Sequence, residues 1–157
     1  INPSVILGPT LDAHAGSSTE IIRGLMTGAF PLLPPLTLLM VDIRDVVELH
    51  VRAMTTPVTG GRRLLGSGDA LPLTEVAAIL SAAFPAYAKQ IPTVAAPAFL
   101  VRMAAKFERT LQTIVPDLGV IPIAETAYVT ELTGVTFRPS AEAVWATGQS
   151  LIDYNFV

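Results

Sequence analysis

The chain has 157 residues, enough for one domain with a real core or for a large piece of one. Ten Lys and Arg against thirteen Asp and Glu leave a formal charge of −3; with 15% of residues charged and 51% hydrophobic, a disordered chain and an electrostatic nucleic-acid binder are both excluded. The absence of cysteine removes disulfides, thiolate catalysis and cysteine zinc sites.

Ile1 to Leu7 is a continuous apolar run closed by Gly8-Pro9, the pattern of a strand buried on both faces. Ile1 stands where an initiator Met would, so the expectation is a piece cut from a larger protein. Asp12 to Gly16 reads as loop, and Ser17-Ser18-Thr19-Glu20 as a capping box with Ser17 as N-cap of a helix that Gly28 stops. A proline-rich connector, Phe30 to Pro35, leads into an extended Leu36 to Val41. Asp45 is the expected N-cap of the next helix, whose apolar stripe is Val46, Val47, Leu49, His50, Ala53 and Met54. Arg63 to Gly66 reads as a strand, and a helix starting near Pro72 ends at Phe84-Pro85. Pro92 to Pro97 is an extended link before a long helix from Ala98 to about Val115, with Phe99, Met103, Phe107, Leu111 and Ile114 on one side. Glu125 to Leu132 is helical and stopped by Gly134, and Ser140 caps a last helix carrying Val144, Trp145, Gly148, Leu151 and Ile152. Strands separated by helices make the fold α/β.

Two apolar windows invite a membrane reading. Residues 24–41 are uncharged, and 76–101 hold Lys89 as their one charge. Pro31, Pro34 and Pro35 cut the first; Pro85, Pro92 and Pro97 cut the second. Each internal proline costs a helix about 3 kcal/mol, so neither window is read as a spanning helix.

The chemical motifs are sparse. Gly61-Arg62-Arg63-Leu64-Leu65-Gly66-Ser67-Gly68 has the outline of a phosphate loop but places Ser67-Gly68 where the lysine and hydroxyl are needed. No Gly-x-Gly-x-x-Gly and no Gly-x-Ser-x-Gly occurs. His14 and His50 lie 36 positions apart without further ligands at metal spacing, and His50 is expected to be a packed residue with one nitrogen satisfied. Tyr87 and Tyr128 are followed four residues on by Ile91 and Leu132, and Tyr154 has no base there either. Arg102, Lys106 and Arg109 share a helical face by spacing and read as a solvated face.

Ile1-Asn2-Pro3-Ser4-Val5-Ile6-Leu7-Gly8-Pro9, Val41-Asp42-Ile43-Arg44-Asp45-Val46-Val47-Glu48-Leu49-His50-Val51-Arg52-Ala53 and Glu131-Leu132-Thr133-Gly134-Val135-Thr136-Phe137-Arg138-Pro139-Ser140, in that order and separation, resemble the later part of extended short-chain dehydrogenases/reductases, in their dihydroflavonol reductase-like branch. The resemblance spans nearly all of 1–157 and is loose over 85–125. It implies the C-terminal, substrate-binding half of a Rossmann-type reductase: the last strands of the sheet and a mostly helical remainder, with the dinucleotide-binding half absent. The family's Gly-rich loop and Tyr-x-x-x-Lys pair lie upstream of the matched region, so this chain alone is expected neither to transfer hydride nor to bind NADP or NAD tightly.

The resemblance also places Pro3, Ser4 and Val5 beside the nicotinamide in the parent protein, and gives Ser18, then Ser17, a hydroxyl for its carboxamide. Asp42, Arg44 and Asp45 are expected to fix a helix start. Phe30, Leu32, Leu33, Phe99, Met103 and Phe107 are either core or substrate lining; lining would imply an apolar or aromatic ketone or aldehyde. The other readings are a fragment of a nucleotide-sugar epimerase or dehydratase, and a free-standing binding or assembly module. The implied setting is cytoplasmic, without nucleic acid or membrane, and with self-association through an exposed apolar face.

Overall fold

The computed structural model describes residues 1–10 and 16–157. His14 and the expected loop up to Ala15 lie outside the described residues. The described residues form five short strands and seven α-helices, the strands all in the first half: β1 (Asn2–Pro3), β2 (Val5–Leu7), α1 (Ser17–Met26), β3 (Thr37–Asp42), α2 (Ile43–Thr55), β4 (Leu65–Gly66), β5 (Ala70–Pro72), α3 (Leu73–Ala83), α4 (Ala98–Ala104), α5 (Arg109–Gln112), α6 (Ala127–Thr133) and α7 (Ser140–Asp153). The α/β expectation holds.

The single strand expected over Ile1 to Leu7 breaks at Ser4. Pro3 has no amide hydrogen to continue a ladder. Before the break, Asn2 and Pro3 pair in parallel with Leu65 and Gly66 of β4. After it, Val5 to Leu7 pair in parallel with Met40 to Asp42 of β3, whose start pairs antiparallel with β5. One extended segment therefore joins two small sheets, ordered β1-β4 and β2-β3-β5. Ile1 to Pro3 are exposed, so this strand is not buried on both faces.

Helix starts depart from the expected caps. Gly16, not Ser17, holds the N-cap position of α1, and Glu20 turns forward onto Arg23 instead of back. Asp42, not Asp45, caps α2, its carboxylate accepting from the Arg44 backbone N–H at 2.8 Å. Ser140 is the first residue of α7 after Pro139; its hydroxyl donates to the Asp69 carbonyl at 2.8 Å, tying the helix to the strands. The stripe on α2 is narrower than its sequence pattern: Val46 and Leu49 are buried, whereas Val47, His50 and Met54 are exposed.

The long helix expected from Ala98 to Val115 is two helices and a 3-10 turn at Val115–Asp117. Glu108 is extended, and its carboxylate accepts from the Thr110 N–H, so a side-chain cap replaces helix continuation at that point. Arg109 thus leaves the face it shares by spacing with Arg102 and Lys106.

The main core gathers Ile22, Leu25, Met40, Val76, Leu80 and Leu151 from α1, β3, α3 and α7. A second cluster joins Leu49 of α2 to Leu64, Val129 and Val135. Hydroxyls of α7 reach the backbone just past β2: Gly8 N–H donates to Thr147 Oγ1 at 2.7 Å, and Thr10 N–H to Ser150 Oγ at 3.1 Å. These contacts fix where the strand leaves the sheet.

Candidate functional site

A cavity lies beside the break at Ser4. The Ser4 N–H is spent on the Gly66 carbonyl at 2.9 Å, which holds the backbone in place. Its hydroxyl is buried without a hydrogen-bond partner. Beside it lies a cavity of about 320 Å³, walled by Ser4 and Val5, by Leu36 to Leu39, and by Ile114, Asp117, Val120 and Pro122. Apolar walls with a few polar groups and a volume in this range are the usual make-up of a small-molecule site.

A second, more polar cavity of about 440 Å³ lies across Leu39, bounded by Ser67, Gly68 and Asp69 and by Thr126, Thr130 and Phe137. It contains the end of the loop-like motif at 61–68. That segment is β4 followed by a turn whose Gly68 N–H donates to the Met40 carbonyl at 2.7 Å, and the next helix begins only at Leu73. It is not a phosphate cradle.

A cluster of charged side chains holds the start of α2. Asp42 and Asp45 are 1% exposed. Arg44 binds the Asp42 carboxylate with two nitrogens, at 2.8 and 2.6 Å. Burial alone would push the Asp42 carboxyl up; the hydrogen bonds from the Arg44 side chain and N–H, with the charges of Arg44 and Arg138, bring it below its ordinary value. Arg138 gives both its N–H and its guanidinium to Asp45, 93 residues away. The acidic residues thus fix the start of α2, as expected, with Asp42 as the cap and Asp45 as a bolt to the segment before α7.

The remaining site candidates lie elsewhere. Ser17 and Ser18 occupy the first turn of α1 and line neither cavity. The Phe30 ring covers Gly24 of α1 and is 39% exposed, as is Leu32. Leu33 is core, at 1% exposure. Phe99, Met103 and Phe107 are exposed and wall neither cavity. The structure brings Ser4 and Val5 together with Thr37, Ile114, Asp117, Val120 and Pro122 instead, none of which carried a site signal while 98–115 read as one helix. His50 is exposed, with Nδ1 at 2.8 Å from the Val46 carbonyl. Among the described residues there is no group of three potential metal ligands, and no helix is long and apolar enough to cross a membrane.

No family model matches the chain. Cinnamoyl-CoA reductase 2 of Arabidopsis thaliana is 37% identical over 87 residues, 55% of this chain and 26% of that protein. Among solved structures, the yeast methylglyoxal/isovaleraldehyde reductase Gre2, complexed with NADPH, matches with a TM-score of 0.71 and 22% identity, over 99% of this chain and 43% of that one. A nucleoside-diphosphate-sugar epimerase from Pseudomonas aeruginosa matches with a TM-score of 0.73 and 15% identity, over 98% and 47%. At these identities the structural matches speak for the fold. The chain spans less than half the length of the proteins it matches.

Proposed function

From a chain that belongs with the extended short-chain dehydrogenases/reductases, dihydroflavonol reductase-like branch, over part of their length, we infer that residues 1–157 are the C-terminal, substrate-binding half of an NAD(P)-dependent reductase acting on an apolar or aromatic ketone or aldehyde. The observation that carries this reading is the Pro3–Ser4 break, which puts Ser4 and Val5 in the wall of an apolar cavity on a fold shared with an NADPH-bound reductase.

A nicotinamide ring would fit such a wall, because Val5, Leu36, Leu38 and Leu39 offer it an apolar face. Ser4 and Val5 would hold it, with Pro3 beside them in the chain; Ser18 and Ser17, which line neither cavity, would approach the carboxamide only from outside it, from the first turn of α1. The coenzyme supplies the hydride. This chain's contribution is to shape the cleft and exclude water. The sequence has no Tyr-x-x-x-Lys, so the proton donor would come from the other half of the parent. Phe30, Leu32, Phe99 and Met103 would meet the substrate or that other half, in a cytoplasmic enzyme.

The second reading, a nucleotide-sugar epimerase or dehydratase, draws on the likeness to the Pseudomonas protein. A committed diphosphate clamp would favour it; Arg44 and Arg138 are instead engaged by Asp42 and Asp45.

The test is the parent gene. Its upstream region is expected to encode a Gly-rich loop and Tyr-x-x-x-Lys, and the full-length enzyme to oxidise NADPH with aromatic ketones and aldehydes. Turnover confined to nucleotide sugars favours the second reading. An upstream region lacking both motifs sinks the two together and leaves a non-catalytic module.

A further inference from the structure

We propose that the cavity between the 67–70 turn and the 122–137 segment binds a small primary amine, with the Asp69 carboxylate as its counter-ion. Apart from Leu39 and Pro122, this cavity has no wall in common with the one beside Ser4. Asp69 is its one ionisable residue. Two hydrogen bonds fix the backbone there: the Asp69 carbonyl accepts from the Met40 N–H at 3.3 Å and from the Ser140 hydroxyl at 2.8 Å. The carboxylate itself is less occupied. One oxygen takes the Ser140 N–H at 3.4 Å, and among the described residues no arginine or lysine pairs with it. Arg138, next in sequence to the wall residue Phe137, is bound to Asp45 instead. A carboxylate held in place without a cation is a preorganised binding group.

The rest of the wall says which cation. Asp69 and Thr136 are exposed, and Thr126 and Thr130 half-buried, so a ligand reaches their oxygens. No side chain in the wall brings a positive charge. An ammonium group has three donors and no acceptor, which matches a set of hydroxyls around a carboxylate. An anion is repelled, in keeping with the failure of the 61–68 segment as a phosphate cradle. A bare metal ion fits less well, because among the described residues no three potential metal ligands come together. Leu39, Ile123 and Phe137 give an apolar body a surface to lie on, so the amine is one carried on a hydrocarbon or ring. The site stands apart from the reductase reading and needs no coenzyme.

The experiment uses the 157-residue chain. Phenethylamine, phenethyl alcohol and phenylacetate share one ring and differ in their head group: cation, neutral and anion. Binding of each is followed by amide chemical shifts. At low ionic strength phenethylamine is expected to bind about fivefold more tightly than the alcohol, with phenylacetate weakest. Its largest shifts are expected at Gly68, Asp69, Ala70 and Thr130. Salt at about 0.5 M is expected to remove the preference for the amine. Asp69→Asn, which keeps an oxygen for the Ser140 N–H, is expected to remove that preference at any ionic strength and to leave the alcohol's affinity unchanged.

Equal affinity for amine and alcohol, a preference that persists in salt, or no binding of the amine overturns the proposal. So does a preference that survives Asp69→Asn, or amine shifts centred on Val5 and Leu38, which lie at the other cavity. The head-group and salt comparisons use the unaltered chain, so they decide the matter even where Asp69→Asn fails to fold. Because no turnover is measured, these failures leave the reductase reading standing, and an inactive parent leaves the amine site standing.

Discussion

Asp45 and Arg138 form one pair with two unequal members. The carboxylate is 1% exposed and the arginine side chain 38%. Losing the arginine strands a charge inside the protein, a change that costs about 3–5 kcal/mol. Removing the carboxylate charge strands an arginine that water already reaches, and screening reduces that penalty to about 1–2 kcal/mol. Arg138→Met is therefore expected to shift the urea midpoint more than Asp45→Asn does; equal shifts would show that the carboxylate finds other partners. Asp42 gives the pair's neighbourhood its pH dependence. Its folded value lies below the ordinary one, whereas an unfolded carboxylate titrates near about 3.9. The unfolded chain then binds the proton first as acid is added, so Asp42's contribution is complete above about pH 4 and is lost as pH falls through the folded value. Urea titrations are expected to show an acid limb below pH 4 that Asp42→Asn flattens, from a lower starting stability because the α2 cap is weakened.

At the scale of elements, glycines on two helices show how packing outweighs propensity. A methyl group at Gly148 of α7 would approach the buried Phe84 ring to 2.5 Å and Leu80 to 3.1 Å. At Gly24 of α1 the obstacle is Phe30, whose ring is 39% exposed and free to swing outward. Helix propensity favours replacing either glycine by a few tenths of a kcal/mol. Gly148→Val is nonetheless expected to lose about 2–3 kcal/mol by overpacking, and Gly24→Val less than about 1 kcal/mol. Denaturant unfolding of the two variants gives the order directly. Elements of this kind were largely legible in the sequence: Gly28 and Gly134 mark helix ends, and proline clusters mark the links. What was not legible depends on distant groups. Ser140 looks like a cap by local pattern, yet its hydroxyl goes to the Asp69 carbonyl 71 residues away. The break at Glu108 follows from one local carboxylate bond that outcompetes a helical turn, and apolar spacing carries no trace of it.

For the whole molecule, the site was legible only where a motif announces it. The resemblance points to Ser4 and Val5 on one wall of the cavity; the opposite wall, Ile114 to Pro122, was hidden because its residues read as the end of an amphipathic helix or as plain linker. The spacing of Phe99, Met103 and Phe107 suggested a buried stripe or a pocket, but they stand 63%, 53% and 88% exposed, with Ile121 and Ile123 at 74% and 83%. Isolated exposed apolar residues are ordinary, whereas so many large ones within 25 positions of each other are a surface that water disfavours. In the parent protein this surface would meet substrate or the coenzyme-binding half. Alone, the chain has only other copies of itself to cover it. Sedimentation velocity is expected to show mass rising with concentration, more strongly with added sulfate, which strengthens apolar association. Met103→Glu combined with Phe107→Glu, both at exposed positions, is expected to shift the distribution toward monomer without changing the urea midpoint by more than about 0.5 kcal/mol. A wild-type chain that stays monomeric across the concentration range would mean that its exposed aromatic and aliphatic residues are too dispersed to act as one surface.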